Sequence, residues 1–370
     1  MKAWPVLAIG FIQALLLLAH WFIFHTWIVF CGNLINPSLA LELHDTLFVL
    51  AFSFIVAALL GFRFSNMFVT VIYRLAATWL GFLNFFFYAA CLCWLVDLPL
   101  RLMSLPQHRP LIAIALFTLA LLAGIYGLFN ALWIRVRRVT VKLPNLPAPW
   151  RERTAVLLSD LHLGNVNGTK FSRRVARLVA RQNPDIVFLP GDFFDGTRMD
   201  PNTLAAPFLK LAPPLGIYFS TGNHDEFGDL PRCLQALTRA GIRILSNQMV
   251  TIDGLQILGI PYHDSTSILR MRANLDALHL DPTQPSILLN HVPNRLPIVE
   301  QAGISLQLSG HTHGGQLFPF TWMTRRAFGK FTYGLHKFGS LQVYTSYGAG
   351  TWGPPMRVGT HPEIVLLTFQ

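Results

Sequence analysis

Leu308–Gln316 reads Leu-Ser-Gly-His-Thr-His-Gly-Gly-Gln. The apolar run Leu306–Leu308 in front of it reads as a short buried strand, and the strand stops at a glycine followed by two histidines. The same arrangement recurs upstream. Ser159-Asp160-Leu161-His162 closes the strand Thr154–Ser159, Gly191-Asp192 follows Asp185–Leu189, Gly222-Asn223-His224-Asp225 follows Gly216–Ser220, and Asn290-His291 follows Ser286–Leu289. An Asp or Asn after one strand is usually a turn residue or a helix cap. Five loops in order, each loaded with Asp, His or Asn at a strand end, are not explained that way. Strand carboxyl ends on one edge of a sheet converge, and α/β folds put their sites there. The gathered donors are nitrogen and oxygen, without cysteine, a set that suits Mn²⁺, Fe, Zn²⁺ or Mg²⁺.

Working outward from these loops, strands and helices alternate from Thr154 onward. Lys170–Asn183 and Leu230–Ala240 read as helices. Ile242–Leu245, Val250–Ile252, Gln256–Gly259, Leu341–Thr345 and Glu363–Phe369 read as strands, with a hairpin around Asp253-Gly254. Arg135–Lys142 alternates and reads as a strand, and Leu143–Trp150, with three prolines, reads as a stiff linker. Repeated strand pairs among helices predict two stacked mixed β-sheets flanked by helices, an α/β (α+β) domain.

The front of the chain is different. Of 370 residues, 52% are hydrophobic and 13% charged, and residues 1–139 hold only 11 of the 47 charged side chains. That excludes an ordinary soluble enzyme over the whole length, and it excludes disorder. Ala3–Phe30, Thr46–Phe62, Leu75–Val96 and Leu111–Ile134 reach or approach the roughly 20 apolar residues of a span. The division expected is a four-helix all-α transmembrane bundle at 1–139, a strand and linker at 140–150, and a globular domain at 151–370. The first run is too long, and its basic flank (Lys2) too slight, for a cleaved signal peptide. Lys2, Arg63, Arg135, Arg137, Arg138 and Lys142 fall on one side of four spans, against Arg101 and Arg109 on the other. The positive-inside rule then puts the globular domain in the cytoplasm. Arg74 is expected to snorkel toward the basic side. His20 and His25 read as packed histidines, and Asp97 with Arg101 as a local ion pair. The net charge of +11 suits anionic partners. The cysteines Cys31, Cys91, Cys93 and Cys233 form no disulfide framework.

The series Asp-x-His, Gly-Asp, Gly-Asn-His-Asp, a lone His after a strand, and Gly-His-x-His resembles the calcineurin-like metallophosphoesterase superfamily over residues 154 to 370. The strings at Ser159–Gly164 and Leu308–Gln316 resemble a bacterial membrane-associated branch with UDP-2,3-diacylglucosamine pyrophosphatase-like relatives. The tail Gly348–Gly350 through Pro354, Arg357 and Pro362-Glu363 resembles it too. The resemblance implies a metallophosphoesterase domain with two divalent metal ions (Mn²⁺, Zn²⁺ or Fe). Asp160, His162 and His313 would hold the first, Asn223, His291 and His311 the second, and Asp192 would bridge both. Two such cations share a water and turn it into a hydroxide nucleophile near neutral pH. His224 would serve as a non-ligand proton donor or phosphoryl stabiliser, oriented by Asp225. Gly191, Gly222, Gly310 and Gly314 would permit tight turns near the metals. Pro190 departs from the commonest pattern without removing a ligand.

Phe318–Phe338 is rich in aromatic and basic residues. It reads either as an excursion with its own small core or as a membrane-leaning lip beside the site. The function expected is hydrolysis of a phosphodiester or pyrophosphate bond at the bacterial inner membrane. The partners expected are a phosphate-ester substrate, lipid-linked ones included, and membrane lipids, with no nucleic acid as main partner and no protein partner. A phosphodiesterase of soluble nucleotides and a non-catalytic membrane sensor or scaffold are the competing readings.

Overall fold

The computed structural model describes residues 4–104 and 106–370. Lys2, part of the topology argument, lies outside them. The chain divides into two compact units: residues up to Phe129 together with Gly353–Met356, and Asn130–Trp352 together with Arg357–Gln370.

The first unit contains α1 (Trp4–Cys31), α2 (Pro37–Arg63), α3 (Met67–Leu102) and α4 (Arg109–Leu132). All four are long and apolar enough to cross a membrane. Two start earlier than their apolar runs suggest, because the caps decide. The Asn36 side chain accepts from Leu39 N at 2.8 Å, and Pro37 sits at the first helical position. Helix α2 therefore begins nine residues before Thr46 and takes in Glu42, His44 and Asp45. Asn66 caps α3 in the same way through Val69 N, so Arg74 lies inside that helix rather than at its start. The polar groups in the spans are paired. His20 is buried, with Nδ1 donating to Leu16 O at 2.7 Å and Nε2 accepting from Trp79 Nε1 at 2.9 Å. His25 stacks between Trp21 and Trp94. Buried Asp97 pairs with Arg101 as expected, and also with Arg109 of α4.

The second unit holds two six-stranded sheets. The first has the order β1 (Arg135–Val141), β12 (Glu363–Phe369), β2 (Thr154–Leu157), β3 (Ile186–Pro190), β4 (Ile217–Ser220) and β5 (Ile242–Ile244). The second runs β10 (Gly334–Phe338), β11 (Leu341–Thr345), β9 (Leu306–Ser309), β8 (Ser286–Leu289), β7 (Leu255–Gly259) and β6 (Gln248–Ile252). Strands β2, β3 and β4 run parallel in one sheet and β7, β8 and β9 in the other. Hence the carboxyl ends within each parallel set open on one edge. The hairpin at Asp253-Gly254 forms as expected, with Ile252 opposite Leu255 and both turn residues at positive φ.

The central strands β2, β3, β4 and β8 are buried along nearly their whole length because both faces are covered. In β3, Ile186 and Phe188 face the second sheet, packing with Tyr218, Ile257, Ile287 and Leu308. Val187 and Leu189 face outward, with Val175, Val179 and Leu237 of α5 (Thr169–Ala180) and α7 (Leu230–Arg239). On the far side of the second sheet, Leu258, Leu288 and Val343 pack with Met271, Leu275 and Val299 of α9 (Ile268–Ala277) and α10 (Leu296–Gln301). Short helices α6 (Pro201–Ala205) and α8 (Tyr262–Ser265) complete the connections before α11 (Phe320–Phe328).

Two features depart from the sequence reading. Strand β10 was hidden in the aromatic segment. It pairs antiparallel with β11, Leu335 opposite Tyr344. Nor has Phe318–Phe338 a core of its own, since Thr332 is its sole buried residue. The aromatic content there is instead displayed, or leans on the neighbouring core through Phe331 and Phe338.

Phe188 is fully buried between the sheets. Phe188→Ala should cost about 3–5 kcal/mol. That should lower the melting temperature of the detergent-purified chain by roughly 6–20 °C. Leu209→Ala, at a position 62% exposed, should move it by no more than about 2 °C.

Candidate metal centre

Three of the five loops reach the site through a backbone turn that ordinary residues avoid. Asp160, His162, Asp192, His311 and His313 all have φ between 45° and 67°. This is the left-handed region, costly for residues other than glycine. Close approach of the loops requires glycine. At Gly191, with φ of 91°, a Cβ would meet both Gly222 N and His291 Nδ1 at 2.6 Å. At Gly310 a Cβ would strike the Asp160 carboxylate.

The seven residues expected as ligands converge. His162 Nε2 and His313 Nε2 lie 2.9 Å apart, with Asp160 Oδ1 3.4 Å from the latter. His291 Nε2 lies 3.1 Å from Asp192 Oδ2 and 3.2 Å from His311 Nδ1, and Asn223 Oδ1 lies 3.1 Å from the same His311 nitrogen. Asp192 Oδ2 also faces His162 Nε2 at 3.6 Å. So Asp160, His162 and His313 form one group able to hold a cation, and Asp192, His291 and His311 another. Asp192 faces both sets of imidazoles. A third such group joins His162, Asp192 and His224, which brings His224 closer to the metal positions than its expected non-ligand role requires.

Hydrogen-bond chemistry tests whether cations fit. His291 Nδ1 lies 2.8 Å from Pro190 O. A carbonyl only accepts, so Nδ1 carries the proton. The Nε2 lone pair of a neutral ring then points at a carboxylate oxygen and another imidazole. His162 Nε2 and His313 Nε2 also confront each other in a buried space, while His313 Nδ1 faces Nη2 of Arg357, which can only donate, at 3.1 Å. Lone pairs converging on carboxylate oxygens are what a divalent cation neutralises, and the N/O set fits Mn²⁺, Zn²⁺ or Fe.

The fields inside the cluster are strong. Burial, then the nearby charge of Asp192, pushes the Asp160 carboxyl up to about 6. Burial also opposes ionisation of Asp192, but the charge of His291 and its hydrogen bond outweigh it and hold this carboxyl below its usual range. Burial lowers His291, yet the attraction of Asp192 prevails and raises it to about 9. Burial drives His162 and His313 well below the usual imidazole value and His311 down to about 4. Most of the imidazoles are thus neutral and free to coordinate.

The structure corrects the expected part of Asp225. Its carboxylate accepts backbone N–H bonds from Asp192 at 2.8 Å, Phe194 at 2.9 Å and Gly222 at 2.8 Å. It ties two loops together rather than gripping the His224 ring. That ring is set by Asp195, whose carbonyl lies 3.1 Å from His224 Nδ1. Asp195 was missed by sequence reasoning. Its carboxylate, raised to about 6 by burial, accepts from Asn165 N, Thr197 N and Thr197 Oγ1. A second aspartate stands three residues after Asp192, but the contact with His224 is made by its backbone carbonyl, which no side-chain pattern signals. Arg357 was noted as part of a tail and given no role. It is completely buried. It donates to the carbonyls of His313 at 3.1 Å, Tyr347 at 2.8 Å and Gly350 at 2.6 Å. It thereby clamps the tail against the His313 loop.

A model of the calcineurin-like phosphoesterase family matches residues 154–315. An uncharacterized metallophosphoesterase of Aquifex aeolicus is 33% identical over 258 residues, covering 68% of this chain and 98% of the relative. This chain belongs to the calcineurin-like metallophosphoesterases. It is a metal-dependent phosphoesterase, in a family whose centre normally holds two metals. A Danio rerio transmembrane protein with metallophosphoesterase domain is 33% identical over 273 residues, covering 70% of this chain. An uncharacterized metallophosphoesterase of Campylobacter jejuni is 32% identical over 244 residues, covering 64% of this chain. The chain spans less than two thirds of the length of these two relatives, 62% and 63%.

Because Asp192 faces both groups of imidazoles, Asp192→Asn should deplete both metals together and cut phosphodiester hydrolysis below about a tenth of wild type. Elemental analysis of the purified chain beside a chromogenic assay checks this. Two retained metals would overturn the bridging assignment.

Proposed function

We propose that this protein is a membrane-anchored phosphoesterase that cleaves a phosphodiester or pyrophosphate bond, with a lipid-linked compound as substrate. The observation that carries the reading is the pair of imidazole–carboxylate groups, with Asp192 facing the imidazoles of both. Asp160, His162 and His313 would hold one divalent ion, Asn223, His291 and His311 the other, with Asp192 common to both. Mn²⁺, Zn²⁺ and Fe are the ions the donors suit. Such ions acidify a water and offset phosphoryl charge.

The chain's own groups do the rest. The carbonyl of Asp195 fixes a proton on His224 Nδ1, leaving Nε2 as the atom that exchanges one. From there His224 donates to the leaving-group oxygen. Asp225 is a positioning residue, since it holds the Asp192 and Gly222 backbones in register. On the His224 side stand Phe227 and Trp352, ring centroids 4.8 and 5.8 Å from the imidazole. Both rings are about 60% exposed, and they offer an apolar seat to a leaving group. Together with four span-length helices, this favours a lipid-borne substrate over a soluble nucleotide.

The charge pattern also supports a cytoplasmic catalytic domain at a bacterial inner membrane, since Arg63, Arg135, Arg137, Arg138 and Lys142 share a side. A C-terminal fluorescent-protein fusion should glow and a C-terminal alkaline phosphatase fusion should stay inactive. The reverse pattern would place the domain outside.

His224→Ala separates catalysis from metal binding. Metal content should stay near normal, while the rate falls roughly 10²–10⁴-fold. The loss should be smaller for p-nitrophenyl esters, whose leaving group needs little protonation. His311→Ala should instead lose metal and slow all substrates alike. Metal loss in His224→Ala would make this residue a ligand. Full rate with both metals would remove it from the mechanism.

A further inference from the structure

Helix α11 buries none of its residues. It exposes Phe320 by 45%, Trp322 by 61% and Met323 by 54%. Large apolar groups displayed side by side mark an interaction surface. The charge around them has one sign. From His311 to Pro362 the sequence has no Asp or Glu, and Arg325, Arg326, Lys330 and Lys337 are exposed. Arg326 lies over the Trp322 ring at 5.5 Å and Lys330 over the Phe331 ring at 5.2 Å. Aromatic rings interleaved with cations, without acids, are the composition of a headgroup interface.

The helix is also rooted at the metal centre. Its first residue packs so closely on the His313 loop that a Cβ at Gly315 would strike the Phe320 backbone. At its other end, the Phe328 ring lies 6.2 Å from the His311 ring. Thr312 Oγ1 bonds to Thr332 O at 2.8 Å, tying the segment after the helix to the same loop.

We infer that α11 is an interfacial helix that seats on the anionic bilayer surface and holds the mouth of the metal centre at the headgroup layer. The occupant is lipid rather than a protein partner for two reasons. The chain carries four span-length helices, so bilayer is always present at high effective concentration. The uniform positive charge is complementary to anionic lipid. The inference extends the lipid-linked reading above, but contact with lipid is read without turnover.

The test uses the full-length protein with benzoylphenylalanine in place of Trp322, reconstituted in vesicles of phosphatidylcholine with or without about a third phosphatidylglycerol. A second sample carries the probe at Leu209, an equally exposed position outside this segment. After illumination, adducts are identified by mass spectrometry. Lipid adducts at position 322 should exceed those at 209 by about fivefold or more, and phosphatidylglycerol should increase them. Combined Arg325→Gln, Arg326→Gln and Lys330→Gln should cut the yield about threefold or more, with metal content unchanged. Equal yields at the two positions, or adducts at 322 to protein alone, would overturn the inference. A yield indifferent to both phosphatidylglycerol and the glutamines would overturn its electrostatic part. Hydrolysis of a soluble activated phosphodiester is followed in parallel. Lipid adducts without turnover would sink the enzymatic reading and leave this one standing, and turnover without lipid adducts would do the reverse.

Discussion

Two carboxylates, Asp160 and Asp192, are buried together with His162, His291 and His313 in one cluster. Burying charge without compensation is expensive, and everything nearby reflects the need to hold these groups in place regardless. Parallel strands in two sheets supply the convergence. The left-handed backbone at five of the cluster's residues turns the side chains inward, at about 1–2 kcal/mol each. Asp225 spends its carboxylate on three backbone amides instead of on chemistry. Arg357 spends its guanidinium on carbonyls, two of them in the glycine-rich tail. A site assembled this way is held by contacts within the chain itself.

Much of this could be read in the sequence because the groups sit at strand ends, where an apolar run gives way abruptly to polar residues. Asp160, Asp192, His291 and His311 need only that rule. What could not be read were contacts made by backbone atoms. The Asp195 carbonyl that steers His224 has no side-chain signature, and Asp225 looks like an orienting acid until its three amide partners are seen. Arg357 sits in a tail whose glycines and prolines predict only a loop. Helix starts were missed for a related reason. Asn36 and Asn66 begin α2 and α3 through single side-chain bonds, whereas hydropathy registers only the apolar middle. Strand β10 escaped because its half-buried, partly polar sequence owes its shape to pairing with β11.

The polar groups of the helical unit show the opposite economy. His20, His25 and Asp97 are each absorbed locally, by a tryptophan hydrogen bond, a stack of rings and a pair of arginines. Relays and ion paths need such groups to face one another across the bundle. Here each is committed to packing, which suits an anchoring role.

The order of the first sheet has a bearing on how the protein is made. β12 lies between β1 and β2, parallel to the former and antiparallel to the latter. β1 follows directly on α4, yet its hydrogen-bonding partner is synthesised more than two hundred residues later. During translation β1 is therefore an open edge close behind a membrane helix, waiting while the rest of the domain emerges. An unpaired strand edge is an invitation to mispairing. The three arginines of β1, exposed at Arg135, Arg137 and Arg138, make that edge repel its own copies on neighbouring nascent chains. The charge of these arginines thus serves as a gatekeeper until β12 arrives.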